Sequence, residues 1–162
     1  MSLILSGDAG VTFPNSTVQA SAGSVLQVVN ATYATQVSLT TNTFTDTGLT
    51  ATITPKFATS KILVIVNQNG CWRTSANPST CIDLGINKVG TGIVSQFSGA
   101  LLSTSTTLEQ SGSTSATYLD SPATTSAVTY KTQFASRNGT ATVYVQYANV
   151  STSYITLMEI AG

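Results

Sequence analysis

Histidine is absent from this 162-residue chain, and charge is scarce: six Lys and Arg balance six Asp and Glu, together 7% of the residues, for a formal net charge of zero. Without an imidazole, Ser-His-Asp and Cys-His catalysis are excluded, as is every metal site built with His. The acidic and basic residues are spread out, so no basic cluster exists to neutralise phosphates. That argues against nucleic acid as a partner and leaves no field for long-range steering. Long hydrophobic runs are missing too. The longest aliphatic stretch, Ile62 to Val66, falls far short of the ~20 residues a membrane-spanning helix needs. The opening MSLILSGD has neither a basic start nor an apolar stretch long enough for a secretory signal. The chain is therefore expected to stay in the cytoplasm where it is made, leaving only by lysis or aboard a larger particle. No cofactor and no membrane insertion are expected.

Apolar residues make up 41% of the chain, an ordinary content, and the length suits one domain with a sizeable core. Charged residues usually supply about 25% of a globular chain, so the surface here must be polar without being ionic. Ser and Thr fill that role, and the branched Cβ of Thr suits a pleated strand. A neutral, strand-rich chain is prone to associate. Its solubility is expected to come from hydroxyl-covered faces and from strand edges buried in a defined oligomer.

Period-2 alternation recurs along the chain, whereas the helical spacing is not sustained. Residues 24–33 (SVLQVVNATY) and 48–55 (GLTATITP) read as strands, the second with Leu49, Ala51 and Ile53 on one face and Pro55 as its stop. KILVIV (61–66) is apolar on both faces, as expected of a central strand covered from two sides, by the opposite sheet and by a neighbouring subunit or loop. In residues 81–89, Ile82, Leu84 and Ile86 alternate with Asp83, Gly85 and Asn87, and Gly90-Thr91-Gly92 turns the chain into IVSQF (93–97). Val128, Tyr130 and Phe134 form one face of the next clear strand. Val143, Val145 and Tyr147 continue beyond Asn138-Gly139, a pair that predicts a tight hairpin. Residues 154–161 (YITLMEIA) read as the last strand, wedged in the body of a sheet. Many short strands separated by turns predict an all-β fold: an antiparallel β-sandwich of jelly-roll type. Residues 1–23 are small, uncharged at most positions and rich in turn formers. They read as an extended N-terminal docking arm ahead of a sandwich domain over 24–162.

No pattern of catalytic residues emerges. Paired carboxylates alone can hydrolyse glycosides, but Asp8, Asp46, Asp83, Glu109, Asp120 and Glu159 are scattered over turns and strands, so no enzyme and no metal site is expected. Cys71 and Cys81 bracket WRTSANPST. They either form a disulfide closing that loop or stand reduced at strand ends as small apolar residues. Trp72, the single Trp, and Arg73 lie beside the same loop and are of types enriched at binding hot spots; the alternative for Trp72 is a strand-end aromatic that caps the core with its N–H bonded to a carbonyl. Tyr144 falls out of phase with Val143 and Val145, which marks it as an outward-facing aromatic. The loop from 73 to 80 and the hydroxyl-rich stretch from 111 to 115 are expected to be displayed, with Trp72, Arg73 and Tyr144 as surface contacts.

LILSGDAGVTFPNSTVQASAG at the start, TGLTATITPKFATSKILVIVNQNG in the middle, and YLDSPATTSAVTYKTQF with SYITLMEIAG towards the end together resemble a family of structural proteins of tailed bacteriophages, described as tail-fibre or virion-appendage proteins. The opening resembles that family's GxVTFPDGTxQ pattern with Asn15-Ser16 in place of Asp-Gly. The resemblance implies a virion protein assembled in the host cytoplasm, whose β-sandwich trimerises and displays its loops while the N-terminal segment joins the particle. On that basis Val11, Phe13 and Val18 would anchor the arm. The expected partners are other copies of the chain in a homotrimer, other virion proteins of capsid or tail, and a host-surface glycan or protein. A capsid decoration protein that clamps the shell is the alternative, and a free carbohydrate-binding lectin domain a third.

Overall fold

The structure, a computed structural model, describes residues 24–74, 81–99 and 111–162, with the backbone of 5–6, 10–12 and 18–19. Three short strands come first, β1 (Leu5–Ser6), β2 (Gly10–Thr12) and β3 (Val18–Gln19), and they pair with one another in an antiparallel meander. Among the described residues none of them pairs with the body. The body comprises β4 (Val25–Tyr33), β5 (Val37–Leu39), β6 (Thr45–Ile53), β7 (Lys61–Arg73), β8 (Ile82–Lys88), β9 (Gly92–Gly99), β10 (Gly112–Asp120), β11 (Val128–Ser136), β12 (Val143–Val145) and β13 (Ser153–Ile160). A single 3₁₀ turn, Tyr147–Asn149, separates the last two strands.

Two antiparallel sheets face each other. In one, β7 pairs with β13 over Lys61–Asn67 and with β10 along its other edge, while β4 flanks β13. The short strands β12 and β5 extend this sheet beyond Gly70. The other sheet has the order β6-β11-β8-β9. The long strands thus stand as β4-β13-β7-β10 over β6-β11-β8-β9, with the first beside the last and the second beside the last but one. This is the winding of a jelly roll, and the expected all-β sandwich is present.

The alternation read from the sequence is the alternation observed. Leu49, Ala51, Ile53, Ile62, Val64, Val66, Ile86, Val128, Tyr130, Ile155 and Leu157 form one apolar cluster, and Cys71, Ile82, Leu84, Phe134, Val143 and Val145 form a second. Buried polar side chains lie in the same interior. Gln68 donates through Nε2 to Ser153 Oγ (2.9 Å) and accepts from Thr132 Oγ1 (3.1 Å), whose hydroxyl meets that of Thr47. Such a network is tolerated inside because its members satisfy one another.

The two outer faces differ in character. On the β4-β13-β7-β10 sheet, the register sets Leu119, Leu63, Met158 and Val28 in one cross-strand row. Ile65 lies on one side of it and Ile160 with Val25 on the other. The outer face of β6-β11-β8-β9 carries hydrogen-bonded polar groups instead: Asn87 donates to Gln133, Gln133 to Asp46, and Lys131 pairs with Asp46 at 2.8 Å.

Asn138-Gly139 does not close the expected hairpin. Gly139 has φ 61°, and its N–H donates to Ser136 O (3.0 Å), but β11 and β12 belong to different sheets. Asn138 is not left-handed, so the two-residue turn that needs both central residues at positive φ is absent. The chain crosses over the core, and Ser136 Oγ donates to Ala141 O to fix the corner. Residues 112–115, expected in a loop, belong to β10.

Candidate functional site

β7 alternates regularly from Ile62 to Gln68, with even-numbered side chains inward, and then changes phase: Gly70 and Cys71 are both buried, Trp72 turns out and Arg73 turns in. Gly70 is responsible. At φ +63° it adopts a conformation that costs glycine little, and opposite it two residues of β10, Gly112 and Thr114, span the longer stretch from Cys71 to Gln68. The extra residue is a β-bulge that re-aims the side chains beyond it.

On the outer face the bulge sets Trp72 against Tyr144 (ring centroids 4.9 Å apart) and Tyr147 (4.5 Å). Tyr144 and Tyr147 meet edge-on at 5.7 Å. These spacings fall in the favourable range for aromatic pairs, and all three rings remain half-buried rather than covered. Tyr147 was expected inside, continuing the face of Val143 and Val145. Instead β12 stops, Gln146 turns left-handed (φ 50°) and takes the buried position, and Tyr147 swings outward. Ala148 (φ 57°) and Asn149 (φ 56°) are left-handed as well. Gln36 pins the segment, accepting from Ala148 N–H through Oε1 and donating its own N–H to Asn149 Oδ1, each at 2.7 Å. Non-glycine residues held at positive φ persist only where their surroundings determine them.

Of the expected surface contacts, Trp72 and Tyr144 come together on the outside, and Arg73 does not join them. Its phase after the bulge buries it to 7% exposure, so Arg73 is corrected from a surface contact to an interior side chain. Val11 and Val18 fall on the backbone strands β2 and β3, while Phe13 lies outside the described residues, as do Asp8, Glu109 and residues 75–80. Cys71 and Cys81 carry free thiols. Burial, with the Cys81 thiol near it, pushes Cys71 up to about 12, so its sulfur is an inert thiol at neutral pH.

The described carboxylates serve the fold. Asp120 accepts from Tyr130 Oη (2.6 Å) and pairs with Lys88 (2.7 Å). Burial opposes its ionisation, but these partners together hold it below the ordinary carboxylate range. Glu159, fully buried, accepts from Gln27 Nε2 (2.6 Å) and from the backbone N–H groups of Lys56 (2.7 Å) and Phe57 (3.4 Å). There too burial is outweighed and the carboxyl titrates low. Asp83 is bridged by Arg137. Among the described residues no group of three or more His, Cys, Asp or Glu could hold a metal ion, and no helix is long and apolar enough to cross a membrane.

The sandwich has two distinct ends. Ser24 and Ala161 are joined by a backbone hydrogen bond (2.9 Å) and, with Leu26, Phe57, Thr59 and Gly162, line a cleft of about 390 Å³. The aromatic trio lies at the other end of β7. No protein-family model matches the chain, and none of the curated proteins matches it either.

Proposed function

We propose that the chain is a non-enzymatic structural protein of a tailed-phage virion: a short homotrimeric appendage attached by residues 1–23 and meeting a host surface with the far end of its sandwich. The observation that carries this reading is the polarity of the body. The arm leaves at Ser24, beside the start of β7 and the end of β13, whereas Trp72, Tyr144 and Tyr147 cluster where β7 ends. An attachment segment at one end and an aromatic platform at the other is the layout an appendage requires, because half-exposed aromatics are the side chains that dominate binding surfaces. The resemblance in the arm and in the sandwich strands points the same way.

The contrast between the sheets supports self-assembly. Among the described residues no layer covers the row Leu119, Leu63, Met158 and Val28, and Leu119 and Val28 are about half exposed. An exposed apolar row of this kind marks a protein interface, and a ring of three copies would cover it. The polar outer face of β6-β11-β8-β9 would then meet water.

Particles grown with a chain lacking residues 1–22 test the reading. The truncated body folds and remains soluble but is missing from the particles, while antibody against the full chain labels discrete appendages on wild-type virions. A uniform label over the shell would overturn the appendage reading in favour of decoration.

A further inference from the structure

A second cleft, of about 260 Å³, opens on the polar side of the sandwich and is lined by Phe44, Asp83, Gln96, Phe97, Ser98 and Arg137. We propose that it is a binding site for a single neutral sugar ring. Arg137 lies over Asp83 as a fork, its Nε donating to both carboxylate oxygens (3.1 and 3.2 Å) and its Nη2 to Oδ1 and to Ser98 Oγ (2.8 Å). Ser98 Oγ in turn donates to Asp83 Oδ1 (3.3 Å). Donors and acceptors are thereby fixed side by side with their charges mutually cancelled.

That chemistry selects among ligands. An anion would meet Asp83, and a cation would meet Arg137. A vicinal pair of hydroxyls, each both donor and acceptor, matches the fork and the neighbouring Gln96 amide. Phe44 supplies the apolar element that the C–H face of a sugar ring requires. It is seated over Gly85, where an added Cβ would come within 3.5 Å of the Phe44 ring and 2.8 Å of Ile93, so the glycine makes room for the aromatic beside the fork. The volume lies just under the ~300–1,000 Å³ typical of drug-sized ligand sites, a size suited to one ring rather than a chain of them. The cleft is separate from the Trp72 platform, and its occupancy does not depend on where the protein sits in a particle.

The test is a titration of the full chain with glucose, galactose, mannose and N-acetylglucosamine, followed by amide NMR. At least one sugar shifts the signals of Gln96, Ser98 and Arg137, with a Kd on the order of 1 mM. Phe44→Ala and Gln96→Ala, the latter at an exposed position, each weaken it by about tenfold, whereas Trp72→Ala leaves it unchanged. No shift with any of the four at ~100 mM would overturn the proposal, as would shifts confined to Trp72, Tyr144 and Tyr147. Sugar binding is read on the isolated chain and attachment on particles, so either reading can fail without the other.

Discussion

Replacing Gly70 with Ala strikes the joint that turns Trp72 outward. Two costs add at that position. An L-residue held at φ +63° is disfavoured by roughly 1–2 kcal/mol. The new methyl would also sit 2.5 Å from the backbone nitrogen of Tyr147, 2.9 Å from Ser151 Cβ and 3.0 Å from Gln146 C. Two of these neighbours are backbone atoms of the pinned turn, so relief requires moving the turn, at roughly 1–3 kcal/mol for an overpacked site. The sum, about 2–5 kcal/mol, is a large share of the ~5–15 kcal/mol that holds a domain folded. At ~2–4 °C per kcal/mol for a chain of this size, thermal unfolding should move down by roughly 4–20 °C. Gly90→Ala is the control: φ is +87° but nothing lies within 4 Å of the added Cβ, so only the conformational cost of about 1–2 kcal/mol applies. Melting followed by circular dichroism reads both, and Trp72 fluorescence reports whether the ring has left Tyr147. Equal stability of the two variants, with unchanged emission, would refute this account of the bulge.

Acid should unfold the body first at the Glu159 clamp, the carboxylate held by Gln27 Nε2 and by the backbone N–H groups of Lys56 and Phe57. Glu159 and Asp120 titrate below their ordinary values, so the stability they add is fully present above those values and is lost as pH falls through the depressed ones. Glu159→Gln should accordingly flatten the loss of stability in acid, and an unaltered profile would contradict the clamp. Deleting residues 1–22 should leave the melting temperature of the body unchanged within error, since among the described residues β1 to β3 pair with one another and not with the body. A body that unfolds on truncation would place Val11 and Val18 in its core. Tyr147→Ala should weaken host adsorption as much as Trp72→Ala, because the two rings share one platform, while Arg73→Lys, at a buried site, should act on stability and not on adsorption.

The strands were legible because their faces are chemically distinct. Leu49, Ala51 and Ile53 against Thr50 and Thr52, or Ile82, Leu84 and Ile86 against Asp83 and Asn87, leave one register that buries the apolar set. The Gly90 hairpin was legible for the same local reason. What could not be read were the phase changes. Gly70 in a strand signals a bulge in general, but its effect on Arg73 follows only from contacts with Tyr147 and Ser151, far along the chain. Ala148 and Asn149 take left-handed conformations under the hold of Gln36, which no local pattern announces. Asn138-Gly139 misled because a hairpin signal describes a turn and says nothing about which sheets its flanks join. The polar cleft was hidden likewise, since Phe44, Asp83, Gln96 and Arg137 come from separate segments brought together by the winding of the jelly roll.

In the proposed assembly the outer face carrying Leu119, Leu63, Met158 and Val28 packs against further copies of the chain. The mass of the purified full chain in solution, measured by light scattering at micromolar concentration, tests it most directly. The account predicts a particle of three 16.7 kDa chains that dissociates when Leu119, 49% exposed within one chain and so unneeded for its own core, is replaced in Leu119→Lys. A monomer in the wild type, or a trimer indifferent to that lysine, would contradict it.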